Sequence, residues 1–328
     1  MQRLCQNARQ NPSLPLFRPE SALTAKHFKD PESARAYLEK LRWPDGAVCP
    51  HCGTVGTAYR RTKPGLWRCA EPECRKDFTV TTKSVMESSH IKLHVWLQAF
   101  HFMSSSKKGM SAHQLHRMLG VTYKSAWFLA HRIREAMRNG NLMPMGGAGK
   151  IVEADETYFG QRTVKPTTTT SGRPFLKKGK AAHKLSIVSL VERGGNVRSF
   201  HVAVADAHNV AGIVNENVLR ETRLHTDESR LYKKVGENFA THETVNHSRK
   251  EYARGDVTTN SVEGYFSIFK RGMKGVYQHC DEKHLHRYLA EFDFRFNNRS
   301  ALGVEDGERA ARAVQGAAGK RLTYRQPH

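Results

Sequence analysis

The chain predicts an α/β protein in three parts: a small metal-stapled ribbon, a helical block, and a larger domain of strands and helices. Three observations predict it. Four of the six cysteines of this 328-residue chain fall between positions 49 and 74. Residues 90–138 carry apolar side chains at helical spacing. From residue 150 onward, short apolar strands alternate with glycine turns and further helices.

Composition narrows the function classes. Hydrophobic residues make up 38% and charged residues 26%, the balance of a water-soluble globular chain. No apolar run approaches the roughly 18 residues of a membrane helix, and the N-terminus, MQRLCQNARQNPSLPLF, lacks the apolar stretch of a signal peptide. The expected location is therefore the cytoplasm, with the nucleoid when DNA is bound, and no membrane partner is expected. Lys and Arg number 53 against 31 Asp and Glu, a net charge of +22. So large a surplus points to a polyanion, because each neutralised phosphate releases condensed counterions.

Residues 1–24, with Pro12, Pro15 and Pro19, are expected to be a flexible arm. Residues 25–85 form a helix plus ribbon. The helix is DPESARAYLEKLRW, with Ala34, Tyr37, Leu38 and Leu41 on one face. The ribbon follows as Cys49-x2-Cys52, sixteen residues, then Cys69-x4-Cys74. Two thiolate pairs at this separation suit a tetrahedral Zn²⁺ site with each pair on a tight knuckle. Gly53 favours the first turn, and Trp67 and Phe78 bracket the second pair. Four thiolates leave no open coordination position, so the zinc is structural. Clustering in a chain without a secretion signal favours metal over disulfides. Cys5 and Cys280 read as free thiols, and His51 as a surface or phosphate-contacting residue.

Residues 90–140 read as three helices. HVWLQAFHFM is the first; SAHQLHRMLG is the second, with Ser111 as N-cap and Gly120 as its stop. VTYKSAWFLAHRIREAMRNG is the third, with Thr122 as N-cap. The last two have the spacing of a helix–turn–helix, in which Leu115, Leu119 and Val121 pack on Trp127, Leu129 and Ile133. That arrangement leaves Tyr123, Lys124, Ser125 and Arg132 for a DNA groove. NLMPMGGAGK is the linker to the main domain.

Residues 150–300 are the expected catalytic domain. KIVEADETYFG, HKLSIVSLVER, VRSFHVAV and RLHTDES read as strands, the middle two joined at Gly194 and Gly195. NVAGIVNENVLR, the stretch from Asn260 to Lys270, and HLHRYLAEFDFRFNNR read as helices. The basic, Thr-rich excursion between Lys165 and Lys180 reads as a mobile, backbone-contacting loop. Residues 301–328 are a C-terminal helix and basic tail. His201, His208, His225, His279, His284 and His286 have no zinc-enzyme spacing and read mostly as surface or phosphate contacts.

Asp155 and Asp227 each sit at the exit of an apolar strand, and each is followed by Glu. A carboxylate at a strand exit lies at the sheet edge, where metal can be held. Thirty-five residues separate Asp227 from Glu263, and Lys270 lies seven beyond. Seven residues are about two helical turns, so Glu263 and Lys270 share a face. Hard divalent cations want oxygen ligands, and paired Mg²⁺ ions serve phosphoryl transfer by activating the attacking oxygen and stabilising the leaving one.

The two aspartates, the gap of thirty-five to Glu263 and the lysine after it resemble retroviral integrases and DDE transposases. VEADETYFG, HTDES, TTNSVEGYFSIFKRGMKGVYQH and KHLHRYLAEFDFRFNNR, with the ribbon text LRWPDGAVCPHCG, are similar to insertion-sequence transposases of the ISXO-like subgroup that carry an N-terminal zinc ribbon. The resemblance covers residues 25–320. It implies a ribonuclease-H-like catalytic domain, Mg²⁺ or Mn²⁺ on Asp155, Asp227 and Glu263, and structural Zn²⁺ on the ribbon. It further implies double-stranded DNA as partner, both element ends and target, and a homodimer or larger assembly to hold two ends. Some members carry Asn in the third acidic position, which keeps Asn260 as an alternative or outer ligand beside Glu263. The expected activity is end cleavage followed by joining of the 3′-OH to target DNA. Two rivals share most of these features: a non-catalytic transposase-derived regulator, and a metal-dependent nuclease without strand transfer.

Overall fold

The computed structural model describes residues 22–140, 142–162, 167–168, 170–175 and 183–323. The arm up to Ser21, the end of the basic tail, and much of the excursion between Lys165 and Lys180 lie outside the described residues.

Helix α1 (Pro31–Arg42) starts where Asp30 caps it, accepting from the Ser33 amide at 2.7 Å, with proline at the first helical position. Its Ala34 and Leu38 are fully buried. Three two-residue strands follow as an antiparallel ribbon: β1 (Tyr59–Arg60), β2 (Trp67–Arg68) and β3 (Asp77–Phe78). Trp43, leaving α1, meets Trp67 and Phe78 edge-on at 5.9 and 5.7 Å between centroids.

Helices α2 (Leu93–Ser105), α3 (Ala112–Leu119) and α4 (Tyr123–Met137) fall where the apolar spacing puts them. Ser111 and Thr122 both cap as expected, and Gly120 ends α3 in the left-handed region at φ +65°. Leu115, Leu129 and Ile133 share the core of this region, with Leu119 and Val121 against it. Trp127 instead packs on His131 and His284. Arg132 departs from expectation: it is only 7% exposed. Its guanidinium donates to the Glu87 carbonyl and lies over Trp96 and Phe128. Such a planar, weakly hydrated cation can be buried against aromatic faces once its donors find carbonyls, so helical spacing alone misplaced it. Beyond Ala126 helix α4 is largely covered, and its exposed part is the first turn, Tyr123 and Lys124.

The linker is anchored. The Met145 amide donates to Asn217 O and its carbonyl accepts from the Leu219 amide. Gly146 has φ +85°, and a Cβ there would lie 2.2 Å from the Thr222 hydroxyl, so only glycine fits.

The main domain is built on β4 (Ile151–Phe159), β7 (Leu185–Glu192), β8 (Val197–Val202), β9 (Arg223–Asp227) and β10 (Thr241–Val245). Strands β5 (Thr167–Thr168) and β6 (Pro174–Phe175) pair as a separate small ribbon between β4 and β7. The sheet is mixed, in the order β10-β9-β4-β7-β8. β4, β7 and β8 run antiparallel, while β9 is parallel to β4 and β10 to β9. On one face lie α5 (Ala207–Asn217) and the short α6 (Lys233–Gly236), where Val210, Val214 and Tyr232 cover Val152, Ala154 and Val188. A short hairpin, β11 (Ala253–Arg254) with β12 (Val257–Thr258), then leads into α7 (Asn260–Gly272). With α8 (Glu282–Asn297), α7 covers the other face, where Val262, Phe266, Phe269 and Leu289 bury Ile187 and Val191.

Helix α9 (Asp306–Gln315) returns to the first core, where Ala313 and Val314 join Trp96 and Phe100. Lys320 then donates to Ala136 O and Arg138 O, satisfying carbonyls at the end of α4. The helical block is tied to the sheet domain by a buried cluster. Glu291 of α8 accepts from Arg134 of α4 at 2.6 Å and from Arg295, and the Tyr277 hydroxyl donates to it. Among the described residues no helix is long and apolar enough to cross a membrane.

Candidate metal centres

The ribbon gathers all four sequence-predicted cysteines. Their sulfurs lie within 4.8 Å of one another. Cys49 and Cys74 are 3.8 Å apart, and Cys52 and Cys69 3.6 Å. Zinc–sulfur bonds of about 2.3 Å in a tetrahedron put sulfurs about 3.8 Å apart, so the set fits zinc. The first knuckle closes by Gly53 N to Cys49 O, with Gly53 at φ +84°. The wider second pair closes by Cys74 N and Arg75 N, both to Glu71 O, with Arg75 at φ +46°. The two extra residues are absorbed in that turn. Burial pushes the Cys69 thiol up, whereas the Thr54 hydroxyl and amide pull Cys52 down to about 6.

The second centre lies where β4 and β9 part. Their parallel pairing ends at Glu153 with His225, although β9 runs on to Asp227 and β4 to Phe159. Past that point the flank of β4 toward β9 is open. Asp155 and Asp227 meet there, and their oxygens, with one from Glu156, lie within 4.8 Å of one another. The Asp155 carboxylate accepts from the Glu156 amide at 2.7 Å, and Asp227 from the Ser229 amide at 3.0 Å. Burial, then the Asp227 and Glu156 charges, push the Asp155 carboxyl up to about 8. Burial also raises Asp227 and Glu156. Crowded carboxyls that resist ionisation, one bearing a buried oxygen without a hydrogen-bond partner, suit divalent cations that take oxygen ligands.

Glu263 stands on the α7 face of the same region, outside that closest trio. It accepts from the Thr259 hydroxyl at 2.9 Å and lies 3.3 Å from His247 Nε2. Its charge nonetheless acts on Asp155. Lys270, two turns on, also faces Asp155; burial lowers its pKa, and the Asp155 charge works against that fall. Asn260 is exposed and borders a shallow pocket with Gly264, Ser267 and Arg271, whose lining includes neither Glu263 nor Lys270.

Three contributors escaped sequence reasoning. Glu153, fully buried, accepts from the Ser261 and Val262 amides at 2.7 and 3.1 Å and from Arg193 at 2.8 Å. A carboxylate on those free N–H groups pins the start of α7, and with it Glu263 and Lys270, to the strand that bears Asp155. Its signal was a charge inside an apolar strand, two residues before Asp155 and so on the same face. His247 bridges toward Asp227 and Glu263 from a short turn, and nothing in its local sequence marks it. Glu156 is the third. His225, expected at the surface or on phosphate, is fully buried in β9 between Arg193 and Glu243.

Residues 146–297 match the ISXO2-like transposase domain, and residues 29–77 match the transposase zinc-ribbon domain. The chain belongs to the ISXO2-like transposase family. This transposase is 26% identical over 279 residues to an uncharacterised protein of transposable element ISH50 from Halobacterium salinarum, covering 82% of this chain and 92% of that one. Among solved structures it is similar to a chain of the simian T-cell lymphotropic virus intasome bound to PP2A regulatory subunit B56 gamma, at 14% identity and a TM-score of 0.28. That match covers 55% of this chain and 63% of the intasome chain, just under two thirds. It is also similar to the mariner Mos1 paired-end complex with Mg, at 16% identity and a TM-score of 0.25, covering 69% and 79%. Likenesses this distant carry no weight for the site, which rests on the geometry above.

Proposed function

We propose that this transposase cuts the ends of its element and joins the freed 3′-OH to target DNA, using Asp155, Asp227 and Glu263 in a ribonuclease-H-like domain. The observation that carries the reading is the meeting of Asp155 and Asp227, from strands far apart in sequence, where β4 and β9 part, with Lys270 facing Asp155. The mixed sheet with helices on both faces supports the ribonuclease-H-like assignment.

Divalent cations held by these carboxylates supply Lewis-acid stabilisation of the phosphate and a lowered pKa for the attacking water. The protein's own groups do the rest. Glu153 fixes α7 against β4, so the acidic residues and Lys270 keep their relative positions. Lys270 holds the phosphate next to the cut. Water adds to phosphorus, the P–O3′ bond breaks, and a 3′-OH is left at the element end. That 3′-OH then attacks a target phosphodiester, forming a new P–O bond and releasing the target's own 3′-oxygen. Glu263 is the third acidic ligand, with Asn260 as the alternative on the same helix.

DNA is held by the ribbon and by the helix–turn–helix of α3 and α4. The contacting surface is the exposed tip, where His113 stacks on Tyr123 at 4.2 Å and Lys124 lies alongside. N-terminal residues of a recognition helix are those that meet base edges. Holding two ends calls for a dimer or larger assembly working in the cytoplasm. Asp155→Asn and Asp227→Asn, made separately, are expected to abolish cleavage of end DNA and leave DNA binding intact; cleavage at the wild-type rate in either contradicts the assignment.

A further inference from the structure

The tightest carboxylate trio is not the one that the spacing of acidic residues picks out. Glu156 belongs to it and Glu263 does not. Neighbouring residues on a strand normally project to opposite faces, and Asp155 and Glu156 leave β4 that way. Glu153 and Asp155 lie on the α7 side, whereas Val152 and Ala154 pack against α5 and α6. The two carboxylates still converge, because β9 stops pairing with β4 at Glu153. Each side chain can then reach round the unpaired edge, one from each face, to Asp227.

Two further observations separate Glu156 from a chance acidic neighbour. Its Oε2 is buried, and the Tyr232 and Ser229 hydroxyls approach the carboxylate without making a hydrogen bond of ordinary geometry to that oxygen. Beneath it stands Tyr232, 0% exposed, with a hydroxyl that likewise makes no hydrogen bond of ordinary geometry and is turned toward the three carboxylates. A buried carboxylate oxygen without a well-aligned donor is costly, and a cation shared with Asp155 and Asp227 removes that cost. Glu228, the glutamate after the second aspartate, is a contrast: it accepts from the His247 and Ser248 amides and the Ser248 hydroxyl, and so is fully engaged in holding the following turn.

We propose that Glu156 is a further ligand of the divalent-metal centre, reaching Asp155 and Asp227 around the open edge of β4 from the opposite face of the sheet. This rests on the active-site reading above and adds a residue to it.

The test is Mn²⁺ affinity of the full-length, zinc-loaded protein without DNA, followed by electron paramagnetic resonance. Asp155→Asn, Glu156→Gln and Glu228→Gln are compared with wild type. Glu156→Gln is expected to weaken Mn²⁺ by about 10- to 100-fold, the range seen when groups supporting a metal site are removed, with Glu228→Gln unchanged. Wild-type affinity in Glu156→Gln together with lost affinity in Asp155→Asn overturns the role of Glu156 and leaves the active site standing. Wild-type affinity in both overturns the site as a whole. If Glu156→Gln does not fold, Glu156→Asp withdraws the carboxylate by one methylene. It is then expected to bind Mn²⁺ more weakly than wild type, and equal affinity overturns the proposal.

Discussion

The zinc ribbon and the carboxylate centre both gather acidic or thiol ligands, but they are assembled in opposite ways. The four cysteines span residues 49–74, and each pair is closed by backbone bonds within its own turn. The carboxylates come from β4, the end of β9 and the start of α7, and only the packed sheet brings them together. A locally closed site can be broken without the rest of the molecule; a site assembled from distant elements depends on whatever fixes those elements. In this chain that fixture is Glu153, which ties α7 to β4.

The sharpest break falls on the ribbon. Cys69→Ser is expected to lose one zinc per chain and to unfold the ribbon, since structural zinc carries about 10 kcal/mol or more of folding free energy in small domains. Zinc content and circular dichroism check it, and retained zinc with an intact ribbon would mean that the four sulfurs are not the ligands.

On the other side of the comparison, Glu153→Ala removes a buried carboxylate from Arg193 and from two helix amides. A loss of about 3–5 kcal/mol is expected in denaturant unfolding, together with lost cleavage although no proposed ligand is touched. A loss under about 1 kcal/mol would show that α7 is fixed by its apolar face alone.

The joint between the two halves gives a smaller, pH-dependent effect. Burial, with Arg134 next in importance, holds the His131 imidazole down at about 2, and neither ring nitrogen has a hydrogen-bond partner. Its folded-state pKa is thus below the unfolded value of about 6.5. The stability it allows is full above pH 6.5 and is lost as pH falls below it. His131→Phe should flatten the fall in unfolding free energy between pH 6.5 and 5 by about 2 kcal/mol; an unchanged pH slope excludes His131 as the sensor.

The smallest effect is at Lys270. Replacing it with Ala should lower the log–log salt slope of DNA binding by about 1, as for one lost phosphate contact. An unchanged slope would remove Lys270 from the DNA.

What could be read in the sequence follows the same division. The cysteine knuckles, the Ser111 and Thr122 caps, the Gly120 stop and the strand exit at Asp227 are local patterns found where expected. Asp155 instead lies mid-strand, because β4 runs on past it to Phe159, paired with β7. Strand β10 went unread because THETV is a polar edge strand with one buried residue, so it lacks an apolar period. Helical spacing puts Arg132 toward solvent and residue type puts His225 at the surface or on phosphate, although stacking on aromatics and an ion-pair network allow both to be buried. Glu156 was invisible for a different reason. Its partnership with Asp155 depends on where a neighbouring strand stops pairing, which no local pattern encodes.

Whether one acidic site both frees and joins a 3′-OH is decided by a joining assay. A duplex with a pre-cut 3′-OH end is mixed with target DNA, the full-length protein and Mg²⁺. A covalently joined product is expected with wild type, none with Asp155→Asn or Asp227→Asn, and none when Mg²⁺ is withheld. Joined product from either variant, or wild-type protein that cuts ends yet never joins them, would contradict a single site for both steps.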